Sequence, residues 1–432
     1  MPALVQAEGT QLNVSAGSDV SLPALTEHVG GGTDLQAGAT VNAPALQAFR
    51  DATFTAATGA GFNAPSLTDV RGSTLNLEPG FGFTVGSLSN VDGARFFVSG
   101  GLSFHKVTAT AMAGTYFESQ TILEADGADS VLDLSALQSL VADDDTHGTD
   151  TLTVRAEAGG RVDLSNLDSV STNNRMLFHV QSQSEIDLSS LQAVGSGQYE
   201  FRVEAEGKLS LGDFTVTNAS EFNINDATSV VDVAGSLLLD NPSVFDVATG
   251  GGVSVGGNFS FATEDEAAFQ IDDGVLAMEG AGSFASPQWL EVGGEDLGLP
   301  ATPLAVPGEN GNFAVGKLVI GQAGQSTVVE LVDAWDNGNR TSFECLYLPG
   351  FGGDGMEMYG DSTLNIGSIN VYAYLDNDWV HLNSLFTGGV TAVDFAALVT
   401  DPEADGTIVV PEPASLGLLA VGALALLRRR RD

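Results

Sequence analysis

The sequence predicts an all-β protein: a parallel β-helix, or solenoid, followed by a small antiparallel β domain and a short C-terminal hydrophobic helix. Three observations predict it. A nine-residue frame recurs along the first two thirds of the chain, apolar and polar residues alternate within each copy, and 53 glycines supply turns between them. Alternation is typical of β-strands, and a repeat period near 20 residues is typical of stacked turns.

The first 290 residues carry the repeat. Four copies of the frame align without gaps, and their final residues Leu25, Leu46, Leu67 and Leu88 lie 21 residues apart. Later copies end at Val107, Leu137, Leu167, Leu191 and Phe214, with spacings of 19 to 30 residues. One unit cannot bury its own apolar face, whereas stacked units can. We therefore predict a solenoid over 1–290 of roughly eleven turns, each about 4.8 Å from the next. An antiparallel sandwich is the competing interpretation, because it also shows regularly spaced short strands.

The last third of the chain has a different composition. Residues 291–311 contain three prolines and five glycines, which predicts a linker or a cap. Residues 312–386 show alternating strands and turn signals such as Asp376-Asn377-Asp378, which favours a small antiparallel sandwich. We predict that 387–408 form an acidic spacer ahead of the tail at 409–432.

The tail consists of three parts. Pro411, Glu412 and Pro413 precede an uncharged run at 414–427, and a block of arginines follows. These arginines are Arg428, Arg429, Arg430 and Arg431. The run predicts a transmembrane-like helix that inserts only transiently, since about 21 Å of helix is shorter than the roughly 30 Å hydrocarbon core. The arginines would stay in the cytoplasm.

This order of Pro-Glu-Pro, apolar run and arginine block resembles the PEP-CTERM sorting signal, a segment also named after ice-binding proteins. The resemblance implies export, recognition and cleavage by an exosortase-type membrane protease, and release in a Gram-negative bacterium. The destination would be the cell surface, the outer membrane or the extracellular matrix. Residues 312–386 are similar to the module that precedes the tail in large PEP-CTERM surface proteins of planctomycete-like bacteria.

Two further expectations concern the N-terminus and ice binding. A secretory signal has a basic region and an apolar stretch, and residues 1–19 show neither, so we expect the gene to encode further residues before Met1. Ice binding needs regular rows of threonine, whereas the outward positions of the frame hold Ser, Asn, Thr and Asp. We therefore expect no ice binding.

The charge balance restricts the partners. The chain has 15 Lys and Arg against 56 Asp and Glu, a formal charge of −41. Such a surface disfavours nucleic acids and anionic membranes and suits divalent cations. Cys345 is the only cysteine, so the chain can form no disulfide within itself, and its alternating neighbours predict a core residue.

Two acidic loops are candidate calcium sites, because Ca²⁺ prefers hard oxygen ligands. The first is formed by Asp143, Asp144, Asp145 and Asp150, and the second by Asp333, Asp336, Asn337 and Asn339. Neither matches the EF-hand pattern, and a solvated loop and a plain hairpin turn are the alternatives. We expect no other cofactor.

The sequence favours a structural or adhesive protein over an enzyme. The five histidines lie far apart, and no G-x-S-x-G motif is present. Asp133, Asp163 and Asp187 share one frame position and should stack in a row that needs cations or protonation. An extracellular polysaccharide is a candidate partner. The alternative is a polysaccharide lyase or hydrolase on the same scaffold, which would need carboxylates beside an Arg or Lys in a groove.

Overall fold

The computed structural model describes residues 4–144, 150–216, 220–240, 244–300, 306–308, 311–335, 344–350, 353–401 and 403–410. Within these ranges there is no α-helix, and the only helical segments are the short 3₁₀ turns Glu266–Ala268, Leu382–Gly389 and Phe395–Ala397. The strands wind into a parallel solenoid of about 15 turns, followed by sheets that contain antiparallel pairs. The predicted fold class is confirmed.

Each turn contributes up to three strands, so three sheets run along the solenoid. The first sheet consists of Gln6–Val14, Glu27–Leu35, Ala48–Arg50, Thr53–Ala56, Thr74–Leu77, Arg95–Ser99, Gln120–Asp126, Thr151–Glu157, Arg175–Gln181, Gln198–Glu204, Ser220–Ile224, Val244–Val247 and Phe269–Met278. The second consists of Asp19–Ser21, Thr40–Asn42, Gly61–Ala64 and Gly82–Val85, and then of Ser103–Phe104, Val131–Asp133, Arg161–Asp163, Glu185–Leu188, Lys208–Leu211, Val230–Val233, Gly252–Val255, the second half of Phe269–Met278, Val315–Ile320 and Met356–Met358.

The third sheet begins with Ala111–Tyr116, Ser139–Asp144 and Ser169–Ser171. It continues with Phe214–Val216, Leu237–Leu239, Phe259–Phe261, Gln288–Glu291, Val328–Val332, Thr363–Asn365, Thr407–Val409 and Ala392–Asp394. A fourth, smaller sheet at the C-terminal end contains Gly294–Glu295, Glu344–Leu348, Asn370–Leu375 and Asp378–His381.

The 21-residue period sets the register of the first turns. Val20 pairs with Val41, Val41 with Phe62 and Phe62 with Phe83, each in parallel. The four frame-ending leucines are all at most 3 % exposed. Gly17, Gly38, Gly59 and Gly80 recur with the same spacing and have φ between +67° and +78°. They form one corner of the solenoid, where a side chain would strain the backbone.

Aromatic side chains stack along the interior. Phe178, Phe201, Phe222, Phe245 and Phe269 occupy one register position in five successive turns. Their neighbouring ring centroids are 4.4 to 6.2 Å apart, within the range of favourable aromatic pairs. They belong to one continuous core that extends from Ala7 to Ile408.

The pairing predicted for residues 312–386 is wrong in part. The strand Val315–Ile320 pairs in parallel with Phe269–Met278 and with Met356–Met358, and Val328–Val332 pairs in parallel with its neighbours in the third sheet. Parallel and antiparallel strands alternate in the same way, so the sequence pattern could not separate them. The solenoid therefore continues past residue 290, which explains why it has more turns than predicted.

One predicted hairpin is present. Asn370–Leu375 pairs antiparallel with Asp378–His381 across a tight turn in which Asp376 and Asn377 have φ of 50° and 68°. Such positive φ values at both positions are typical of a type I′ turn. In the predicted spacer, Phe395 and Ile408 are fully buried. The domain boundaries stay a prediction, although the core runs across those at 290, 311 and 386.

Candidate functional site

The predicted row of aspartates is present on the second sheet. Asp133 pairs with Asp163 and Asp163 with Asp187. Each carboxylate accepts a hydrogen bond of 3.0 to 3.1 Å from the backbone N–H two residues on, so the Asp-Leu-Ser segment forms a side-chain-stabilised turn. Nη2 of Arg161 lies 3.2 and 3.0 Å from the carboxylates of Asp163 and Asp187, so the protein itself places one positive charge beside these two members of the row. Binding of a metal cation to the row stays a prediction.

A charged network that the sequence did not predict crosses the first sheet. Glu200, 2 % exposed, lies between the guanidinium groups of Arg175 and Arg202, and Nη2 of Arg175 is 2.6 Å from its carboxylate. In the same sheet, Nε2 of His179 is 2.7 Å from Glu204. Burial raises the pKa of Glu204, but hydrogen bonds from His179 and Asn225 outweigh it, so the pKa is below its ordinary value. The network joins strands of successive turns by ion pairs.

The first candidate calcium loop is described only in part. Asp145 and the side chain of Asp144 lie outside the described residues. Asp143 lies in the strand Ser139–Asp144, opposite Thr115, and Asp150 accepts a 3.0 Å hydrogen bond from the hydroxyl of Ser119. Calcium binding in this loop stays a prediction.

The second candidate calcium loop contributes one residue to an acidic cluster. Asp336, Asn337 and Asn339 lie outside the described residues. Carboxylate oxygens of Asp333, Glu291 and Glu344 all lie within 4.8 Å of one another, and both glutamates are buried. The sequence did not predict these two partners, because they are 42 positions before and 11 after Asp333. A cation here stays a prediction.

A feature that the sequence missed is a groove of about 540 Å³ on the outer face of the third sheet. It crosses five consecutive strands, from Phe214–Val216 to Val328–Val332. The lining residues are Gln192, Asp213, Phe214, Thr215, Ser236, Leu238, Asn258, Ser260, Trp289, Glu291, Val332, Ala334 and Trp335. At about 4.8 Å per strand, the groove is about 19 Å long.

A row of side-chain hydrogen bonds forms one wall of the groove. Asp213 accepts from the backbone N–H of Ser236 at 2.7 Å, and the hydroxyl of Ser236 accepts from the N–H of Asn258 at 3.0 Å. The amide oxygen of Asn258 accepts from the N–H of Trp289 at 2.8 Å. Each side chain therefore fixes the equivalent residue one turn further along.

A sequence signal for this wall exists. Its first three residues each follow a glycine, in the segments Gly212-Asp213-Phe214, Gly235-Ser236-Leu237 and Gly257-Asn258-Phe259. A Cβ atom at Gly235 would lie 2.3 Å from the carboxylate of Asp213, so the hydrogen bond needs glycine there. In the fourth turn the pattern changes to Gln288-Trp289-Leu290, which places an indole in the polar row.

Two tryptophans stand at one end of the groove. Trp289 and Trp335 are 50 % and 46 % exposed, among the most exposed large apolar side chains of the described residues. The backbone N–H groups of Ala334 and Trp335 both donate to one oxygen of Glu291 at 2.9 Å. The protein therefore holds both indoles from the backbone and leaves much of their surface to solvent.

The predicted sorting residues lie outside the described residues. They are Pro411, Glu412, Pro413, Arg428, Arg429, Arg430 and Arg431. The predicted hydrophobic helix lies in the same segment. In the part of the chain that the structure describes, no helix has the length and apolar character to cross a membrane.

In the comparison with known proteins, only the tail has a match. No curated protein and no solved structure matches the chain, so the similarity of 312–386 to surface proteins of planctomycete-like bacteria stays a prediction. Residues 409–431 match the PEP-CTERM protein-sorting motif. This motif marks the chain as an exported protein of the cell envelope that is sorted by an exosortase, a membrane enzyme.

Proposed function

We propose that this chain is a structural and adhesive protein of the cell surface or extracellular matrix, released there after exosortase cleavage. The observation that carries the proposal is the position of the sorting motif at the end of a long parallel solenoid. About 15 turns at about 4.8 Å each give a rod on the order of 70 Å. A rod of this kind extends a binding surface away from its point of attachment.

The charged groups support a structural role rather than a lyase or hydrolase. The buried carboxylate of Glu200 is held between two guanidinium groups, and the aspartates of the second sheet accept hydrogen bonds from their own turns. A base that abstracts a proton must reach its substrate. Glu200 instead joins two turns of the solenoid through Arg175, and the aspartates stabilise their own turns.

Replacement of the two motif prolines tests the sorting step. In a host that has an exosortase, the Pro411→Ala/Pro413→Ala double variant should remain at full length in the inner-membrane fraction. The unchanged chain should appear at the surface without its arginine block, as mass spectrometry of the C-terminus would show. Pro402→Ala, which changes a proline ahead of the motif, is the control. Equal processing of the double variant and the control would contradict the proposal.

Loss of the chain tests the adhesive step. A strain without this protein should attach less to surfaces and shed more matrix into the medium, and expression of the unchanged chain should restore both. Equal attachment and shedding with and without the protein would contradict an adhesive or structural role while leaving the sorting result intact.

A further inference from the structure

We infer that the groove on the third sheet binds a neutral polysaccharide chain, with Trp289 and Trp335 as stacking platforms. This deepens the adhesive part of the proposed function by naming its ligand and its site. The inference stands on the geometry of the groove and does not depend on the sorting motif.

The exposed indoles are the first support. The chain has three tryptophans, and two of them lie in this groove with about half of their surface in solvent. Exposing so much apolar surface is unfavourable, yet Asn258 and Glu291 fix the backbone of both residues. The electron-rich face of an indole attracts the weakly positive C–H groups on one face of a sugar ring. Two such faces in adjacent turns suit a chain of sugars.

The polar lining is the second support. Hydroxyl and amide groups line three successive turns of the groove: Thr215 in the first, Ser236 beside the apolar Leu238 in the second, and Asn258 with Ser260 in the third. Such groups both donate and accept, as the hydroxyls of a sugar do. A long groove with a repeated lining fits a polymer of repeated units better than a single small molecule.

The charges of the groove disfavour an anionic ligand. Among the described residues that line the groove there is no Lys or Arg, whereas Asp213 and Glu291 are present, and the whole chain has a formal charge of −41. An anionic polysaccharide would therefore be repelled, and a sulfate or phosphate would find no cation to pair with among these residues. A neutral polysaccharide, whose hydroxyl groups match the polar lining, is the ligand class that we infer.

Affinity electrophoresis with the full chain tests the inference. The gels contain a soluble β-glucan, a mannan, a xylan or dextran, and alginate serves as the anionic comparison. We expect at least one neutral polysaccharide to retard the chain and alginate not to do so. Trp289→Ala and Trp335→Ala should each weaken binding by about 10-fold, which corresponds to about 1.4 kcal/mol, because each variant loses one of the two stacking faces.

Matched variants separate binding from folding. Phe117 is 68 % exposed and lies outside the groove, so Phe117→Ala should bind as the unchanged chain does. Because both tryptophans are half exposed, their variants should keep the unfolding temperature of the parent. The inference is overturned if no neutral polysaccharide retards the chain, if both tryptophan variants bind unchanged, or if alginate binds equally well. Surface display of the tryptophan variants should be normal, which keeps this test independent of the sorting proposal.

Discussion

The buried carboxylate of Glu291 holds the backbone of Trp335 one turn away. Its Oε1 atom accepts from the N–H groups of Ala334 and Trp335, both at 2.9 Å, just after the strand Val328–Val332 ends. The position of an exposed indole in the groove therefore depends on a side chain that is only 2 % exposed.

Replacement of Glu291 should release Trp335. Glu291→Ala removes the acceptor of two backbone hydrogen bonds and should lower the free energy of unfolding by about 1–3 kcal/mol. Glu291→Gln keeps an acceptor oxygen and should lower the free energy of unfolding less than Glu291→Ala does. With Trp289 and Trp379 replaced by Phe, Trp335 is the one remaining tryptophan, and acrylamide should quench its fluorescence more in the Ala variant. Equal quenching in the parent and both variants would contradict the role of Glu291.

Gly235 should not tolerate a side chain. A Cβ atom there would lie 2.3 Å from Oδ1 of Asp213 and 2.9 Å from its backbone nitrogen. Gly235→Ala should therefore lower the urea midpoint and reduce the free energy of unfolding by more than about 1 kcal/mol. Gly252 is the matched control, because the nearest atom to its Cβ position is 3.8 Å away, and Gly252→Ala should be neutral or slightly stabilising. Equal midpoints for the two variants would show that the wall of the groove can move.

The sequence predicted the parts of the fold that repeat. Leu25, Leu46, Leu67 and Leu88 are buried as expected, because a fixed 21-residue spacing permits only one parallel register. The strand Val315–Ile320 was assigned the wrong pairing, since period-two alternation is the same for both strand directions. Where the turns become irregular in length, the sequence no longer shows which strand is the neighbour.

The groove was harder to predict from the sequence than the repeated turns were. The glycine before Asp213, Ser236 and Asn258 is a readable signal, because each close approach requires the absence of a side chain. Trp335 carries no such signal. It lies beyond the end of its strand, and only the folded chain brings it beside Glu291, 44 positions earlier.

Replacement of Phe222 should destabilise the fold more than replacement of most other core residues. Its ring lies 4.4 Å from that of Phe201 and also contacts Phe245, and the side chain is 1 % exposed. Phe222→Ala should lower the free energy of unfolding by about 3–5 kcal/mol, because the rigid stack cannot close over the cavity. Phe284→Ala, at a residue 77 % exposed, should leave the urea midpoint within error of the parent. A similar midpoint for both variants would contradict the assignment of the aromatic stack to the core.

Calcium binding at Asp333 can be tested directly. The carboxylates of Asp333, Glu291 and Glu344 lie close enough to share one cation, and calcium accepts such oxygen ligands. If calcium binds, titration into the full chain should release or absorb heat and raise the unfolding temperature. Asp333→Asn should remove the part of this response that comes from the second loop, and Asp143→Asn/Asp150→Asn the part that comes from the first. The absence of both heat and a shift of the unfolding temperature at millimolar calcium would remove both predicted sites.

The carboxylate of Asp226 should make stability depend on pH. Burial raises its pKa, but hydrogen bonds from Thr228, Ser229 and the backbone N–H of Ala205 outweigh this and hold the pKa well below its ordinary value of 3.8. A depressed pKa means that the folded state favours the charged form. The stabilisation is therefore complete above the ordinary value and is lost as the pH falls towards the folded value.

Asp226→Asn resembles the protonated side chain and should be less stable than the parent at neutral pH, by about 1 kcal/mol after solvent screening. Urea midpoints should keep this difference from about pH 7 to about pH 5, and the difference should shrink progressively as the pH falls below the ordinary value of 3.8. Asp168→Asn, at an exposed position, is the control and should show no change in the difference. A constant gap between Asp226→Asn and the parent at every pH would mean that the hydrogen bonds to Asp226 do not depend on its charge.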